Sequence, residues 1–134
     1  LKGRVFTKKE FNQTLKEEFI RSQNNQIGFW CLTSTIQDKI IGVSGILKCN
    51  YLNNESYEFG FILNEEHWGK GLATEIGKFW LKYAKQEMNL TELIATVSPE
   101  NTASKKVLEK LKMECVGKYN SEERGDRLIY KISL

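Results

Sequence analysis

The residues whose types and spacing best suit chemistry in this chain are His67-Trp68-Gly69-Lys70-Gly71-Leu72-Ala73-Thr74-Glu75, between the end of a strand-like run and the start of a long helix-like one. Two glycines, lacking Cβ atoms, let an anionic ligand come close to the backbone. A helix start adds unpaired N–H groups and about half a positive charge, so phosphate is a natural ligand for such a turn, and Lys70 can add a point charge. The competing reading is a plain strand-to-helix turn whose glycines serve only tight packing. Two familiar phosphate loops are excluded. A P-loop needs G-x-x-x-x-G-K followed by Ser or Thr, whereas one residue too many separates Gly71 from Gly77-Lys78, and Phe79 follows. A dinucleotide fingerprint starting at Gly69 needs Gly or Ala where Thr74 stands, and it belongs in a unit of parallel strands.

Other reactive side chains are few. The single histidine, His67, excludes sites built from two or more histidines, and beside the turn it reads as a loop residue rather than a base. Cys31, Cys49 and Cys115 are odd in number, widely spaced and without a C-x-x-C pair, so neither a disulfide framework nor a zinc site is expected, and reducing cytoplasm is the expected setting. No metal is expected. The 20 basic and 17 acidic residues are interspersed, which gives no support to nucleic-acid binding. No apolar run approaches the roughly 18 residues needed to span a bilayer, and there is no signal-peptide core at the start, so no membrane partner is expected.

The elements that must position these residues follow from periodicity. At 134 residues, 40% apolar and 28% charged, the chain should form one domain, 1–134, around one core. Thr7-Lys8-Lys9-Glu10 is a capping box that opens a helix from about Lys8 to Ser22, with Phe11, Leu15 and Phe19 on one face. Strands are expected from about Ile27 to Thr35 and from Ile40 to Leu47, joined at Gln37-Asp38-Lys39; a polar stretch from Asn50 to Ser56 then leads to a strand from Tyr57 to Leu63. From Gly71 to about Met88 the spacing turns helical, with Leu72, Ile76, Phe79, Tyr83 and Ala84 on one stripe, and the aromatic set Phe79, Trp80 and Tyr83 reads as core. A strand from Leu93 to Val97 precedes a helix carrying Ala103, Val107, Leu108 and Leu111, and strands from Glu114 to Tyr119 and Leu128 to Ser133 flank a turn from Asn120 to Asp126. A helix joining two strands usually leaves them parallel, so the strands ending at Leu63 and Val97 should be parallel neighbours or near neighbours.

Three blocks together carry a family resemblance: Glu58-Phe59-Gly60-Phe61, then Trp68 to Glu75, then Val97-x-x-x-Asn101-x-x-Ser104-x-x-Val107-Leu108-Glu109-Lys110. In order and placement they resemble the GNAT superfamily of acyl-CoA-dependent N-acetyltransferases, and within it the RimJ/RimL-like branch that acetylates the N-termini of ribosomal proteins. The resemblance implies an α+β fold, a mixed sheet with helices on both faces. It also implies that the first strand and helix of that fold are missing, so that a chain opening on Leu1 is a fragment or a trimmed form. In the family a Gln/Arg-x-x-Gly-x-Gly/Ala turn wraps the pyrophosphate of coenzyme A; Trp68 departs from its first position, as aromatic residues do in this branch.

The implied function is transfer of an acetyl group from acetyl-CoA to a primary amine by direct attack on the thioester, with a CoA-binding or regulatory module lacking turnover as the alternative. The expected cofactor contacts are Phe61, Ile62, Leu63, Trp68, Gly69, Lys70, Gly71, Leu72, Ala73, Thr74, Asn101 and Ser104, with the pantetheine arm between the strands ending at Asn64 and Val97. Glu58 is the implied general base, directly or through water, and also reads as an exposed or salt-bridged strand carboxylate. Ser104 is implied near the sulfur; Asn101 either contacts the pantetheine or caps a helix. The Tyr that some branches use to protonate the thiolate is replaced by Leu108. Lys105 and Lys106 lie near the nucleotide phosphates or face solvent. The implied partners are acetyl-CoA and an amine acceptor, a protein N-terminus or a small molecule, and a homodimer is compatible with the branch.

Overall fold

A computed structural model describes residues 28–34, 39–51 and 53–134. The helix expected from Lys8 to Ser22 lies outside the described residues. The elements are β1 (Gly28–Ser34), β2 (Lys39–Tyr51), β3 (Asn54–Leu63), a 3-10 turn at Glu65–His67, α1 (Leu72–Gln86), β4 (Glu92–Val97), α2 (Thr102–Lys110), β5 (Glu114–Ser121) and β6 (Gly125–Ser133). They form one mixed sheet in the order β1-β2-β3-β4-β6-β5, in which β3 and β4 run parallel and every other neighbouring pair is antiparallel. The polar stretch from Asn50 to Ser56 is not a loop. The β2–β3 ladder continues through it to Tyr51 opposite Asn54, with Lys48 and Glu55 ion-paired across it and Asn53 in the left-handed region at φ 64°. Ladder hydrogen bonds are made by backbone groups, so polar side chains turned to solvent do not end a strand.

Alternation along the strands sorts the two faces of the sheet. Ile46, Phe59, Leu93, Ala95, Val97 and Tyr130 lie on one face, where they form a single buried cluster with Trp80 and Ala84 of α1, Leu108 of α2, and Leu111 and Met113 just beyond it. Both described helices therefore cover this face. Gly77 lets them approach, because a Cβ there would collide with the Leu111 side chain. Ser44 is fully buried beneath α1, and its hydroxyl accepts a 2.7 Å hydrogen bond from the Trp80 indole. The buried stripe of α1 is Gly77, Trp80 and Ala84. Phe79 and Tyr83, expected in the core, are instead exposed, since the 100° step that buries positions 80 and 84 leaves 79 and 83 on the flank. Their rings stack on each other at 6.2 Å.

The parallel junction between β3 and β4 positions the site. Their register consists of one pair, Glu58 opposite Ile94, and β4 is otherwise paired along its length with β6. The last residues of β3, from Phe59 to Leu63, thus have no partner on their β4 side. No described helix is long and apolar enough to cross a membrane.

Candidate functional site

The unpaired end of β3 borders a cleft of about 1230 Å³, lined by Phe61, Ile62 and Leu63 on one side and by Ala95, Thr96 and Val97 on the other. The chain leaving β3 is tied down at once: the Asn64 amide donates to the Ile41 carbonyl at 2.8 Å, and its side-chain amide to the Ile40 carbonyl at 3.2 Å. Trp68, half exposed, turns its indole N–H back onto the Leu63 carbonyl at 2.9 Å, fixing the start of the turn to the end of the strand. Gly69 and Gly71 then adopt φ of 72° and 76°, where any side chain is strained. A Cβ at either position would meet nothing within 4 Å, so these glycines are required by backbone conformation and do not serve tight packing. Gly71 is the N-cap of α1 and supplies no side-chain cap, and Leu72, Ala73 and Thr74, whose amides open the helix, line the cleft.

The second helix closes the other wall. Asn101 caps α2, its Oδ1 accepting from the Ser104 amide at 3.1 Å, and both residues line the cleft. Capping and cleft-lining are thus compatible in one residue. Lys106 is on the lining, whereas the Lys105 ammonium is held by the Pro99 carbonyl at 3.2 Å. Leu108 is 2% exposed and belongs to the core. His67 lines the cleft beside Glu66, 3.6 Å away. Of the expected residues, Phe61, Ile62, Leu63, Trp68, Gly69, Gly71, Leu72, Ala73, Thr74, Asn101 and Ser104 meet around one cavity, while Lys70 points to solvent and Glu58 is set back from it. Among the described residues no group of three or more His, Cys, Asp or Glu side chains could hold a metal ion.

Glu58 belongs to a polar cluster on the sheet face away from α1 and α2. Its carboxylate accepts from the Tyr51 hydroxyl at 2.7 Å and from the Thr96 hydroxyl at 2.8 Å. Arg124, in the turn between β5 and β6, donates to the hydroxyls of Tyr119 at 3.0 Å and Tyr51 at 3.3 Å. Arg127 donates to the Thr96 carbonyl at 2.9 Å and to its hydroxyl at 3.3 Å. Burial, and then the negative charge of Glu58, hold the Tyr51 hydroxyl well above its ordinary range, so it remains a donor. Burial and Glu58 also push the neighbouring Cys49 thiol up to about 12. Burial lowers Arg127, and the positive charge of Arg124 adds to that effect. Only Glu58 of this cluster was expected from the sequence. Its other members sit on five different elements, and no local spacing connects them.

A turn of positive-φ glycines feeding an uncapped helix, beside a gap between parallel strands, is the arrangement that the three sequence blocks implied. Residues 3–114 match the acetyltransferase (GNAT) domain family. The chain belongs to that family. Among its GNAT relatives is the uncharacterized N-acetyltransferase YnaD of Bacillus subtilis, 33% identical over 104 residues that cover 72% of this chain and 60% of that protein. The chain thus spans less than two-thirds of that relative's length. A GNAT-family acetyltransferase structure from Bacillus anthracis superimposes with a TM-score of 0.73 at 28% identity, covering 96% of this chain and 76% of that one. The ribosomal-protein-S5-alanine acetyltransferase of Vibrio fischeri matches with a TM-score of 0.73, covering 96% of this chain and 73% of its own, but at 20% identity that likeness shows the fold alone. Membership of the GNAT family is therefore established, and the RimJ/RimL-like branch is not singled out within it.

Proposed function

We propose that the chain carries the acyl-CoA-binding and transfer site of an N-acetyltransferase, which moves an acetyl group from acetyl-CoA to a primary amine. The observation that carries this reading is the meeting, in one cleft, of the Gly69–Gly71 turn at the start of α1 with the gap between β3 and β4. The turn suits a diphosphate, and the unpaired edge of β3 suits an extended amide-bearing arm. Acetyl-CoA has both groups and supplies the activated thioester. In this reading the backbone of the turn from Gly69 through Lys70, Gly71, Leu72 and Ala73 to Thr74 holds the diphosphate, and Trp68 fixes the turn through Leu63. Phe61, Ile62 and Leu63 offer backbone groups to the arm, with Asn101 and Ser104 facing it from α2. The amine enters from the opposite sheet face. Because Thr96 lines the cleft and Glu58 does not, a proton leaving the amine reaches the Glu58 carboxylate through the Thr96 hydroxyl or a water. A cytoplasmic setting accords with three free thiols.

A second reading, CoA binding without turnover, is favoured by the buried Leu108, where some branches place an acidic Tyr, and by the setback of Glu58. Calorimetry with acetyl-CoA and CoA tests the shared step, and absence of binding by the folded chain would sink both readings. A thiol-release screen over amines, including peptides beginning with Ser or Ala, separates them. Acceptor-dependent release of CoA is the expected result, whereas binding without release would leave the non-catalytic module.

A further inference from the structure

Among the described residues, the polar face carries one buried side chain whose bonding is incomplete. Arg127 is 2% exposed, and only its Nη2 is engaged, by the Thr96 carbonyl and hydroxyl. Its Nε and Nη1 are buried without a hydrogen-bond partner. A buried guanidinium with idle donors is costly, and such a group calls for an acceptor that the described residues do not provide. Glu58 is not that acceptor: its carboxylate accepts from the hydroxyls of Tyr51 and Thr96 and makes no hydrogen bond to the idle nitrogens of Arg127. Arg127 nevertheless lines the same cleft as Gly60 and Ile62, which alternation places on this face of β3. A carboxylate, with two oxygens and about four lone-pair sites, would satisfy idle guanidinium donors and neutralise the charge at once.

The cleft also assigns the two substrates to opposite faces. The turn, Asn101 and Ser104 lie on the helix side, whereas Arg127 and Thr96 point to the side left for the acceptor. We propose that Arg127 receives an anionic group on the acceptor, so that the acceptor is a primary amine bearing a carboxylate and not a polycation such as a polyamine or aminoglycoside. The proposal rests on the acetyl-transfer reading above. The Arg124 guanidinium beside Arg127 works in the same direction, since the two guanidinium charges outnumber the single carboxylate charge of Glu58 and the balance favours an anion.

The test pairs primary amines of equal length with and without a terminal carboxylate, adds spermidine, and measures CoA release by the full chain. The carboxylate member of each pair is expected to be used on the order of 100-fold better in kcat/KM, as a charge-assisted buried contact provides. In Arg127→Lys and Arg127→Met that ratio should fall towards unity, while the dissociation constant for acetyl-CoA stays the same. Equal use of both members, or preference for spermidine, would overturn the proposal with the unaltered protein alone, whether or not the variants fold. Equal loss on both members in Arg127→Lys would overturn it too, by assigning Arg127 to the thioester. If no amine releases CoA, the transfer reading fails separately. Calorimetry on the CoA-loaded chain then decides the Arg127 assignment: the carboxylate amine binding and its neutral partner not binding upholds it, and no difference between them ends it.

Discussion

The turn from Trp68 to Thr74 is made of consecutive residues that present backbone, whereas the cluster of Tyr51, Glu58, Thr96, Tyr119, Arg124 and Arg127 is made of side chains drawn from β2 to β6 and one connecting turn. In the turn, chemistry depends on φ angles and on the absence of Cβ atoms, and none of its side chains is buried. In the cluster, chemistry depends on the buried Glu58 and Arg127 and on the half-buried hydroxyls and guanidinium that hold them in place. Loss of one group in the turn should therefore affect binding and little else. Loss of one group in the cluster should affect the stability of the whole sheet, because its partners are left buried without compensation.

The largest expected effect is Glu58→Leu. Removing the carboxylate deprives Tyr51 and Thr96 of their acceptor and leaves the guanidinium-rich face without this negative charge, at a cost of about 3 kcal/mol in denaturant unfolding. Affinity for acetyl-CoA in the fraction that folds should be unchanged; a weakened affinity with unchanged stability would reverse the roles of the two regions. Next comes Gly71→Glu, whose carboxylate and left-handed backbone strain should weaken CoA binding by about 100-fold while costing only about 1–2 kcal/mol of stability. Full affinity in that variant would remove the phosphate role from the turn. Asn101→Ala should be smaller and mixed, since the residue both caps α2 and lines the cleft: about 1 kcal/mol of stability, with a measurable rise in the acetyl-CoA dissociation constant.

The smallest effect concerns pH. Folding raises Cys49 from 9.0 to about 12 and raises Tyr51 from 10.0. In both cases the unfolded chain ionises first. Their contribution to stability is therefore intact below pH 9 and is lost as pH climbs above it, first through Cys49 and then through Tyr51. A thiol reagent at pH 8 should accordingly label Cys31 and Cys115 quickly, both being exposed, and Cys49, half-buried and with the pKa of its thiol pushed up, far more slowly. Rapid labelling of all three thiols would show that the cluster is open to solvent.

Most strands and both described helices were legible because their signals are local: alternation in β3, a helical stripe from Ile76 to Ala84, a Gly-x-Gly turn between them. Errors arose where local polarity was taken for irregular backbone, from Asn50 to Ser56, and where every aromatic on a helix was taken for core, at Phe79 and Tyr83. Arg127 shows the limit most clearly. In the sequence it is one of twenty basic residues at the start of an ordinary strand, with no feature that distinguishes it from an exposed surface arginine.

Residue types and their order were enough to define the turn, because a positive-φ glycine and a helix start are properties of neighbouring residues and need no distant partner. The same local information pointed to β3 and β4 as parallel neighbours or near neighbours, and the family resemblance put Glu58 beside the acetyl site. Whether Glu58 faced the cleft or a neighbour, and which residues would surround it, was decided only when pairing brought Tyr51, Thr96 and Arg127 onto one face. Burial and hydrogen-bond satisfaction are properties of three-dimensional neighbourhoods. An arginine with two idle nitrogens can be recognised only once the groups that might have satisfied them have been put in place.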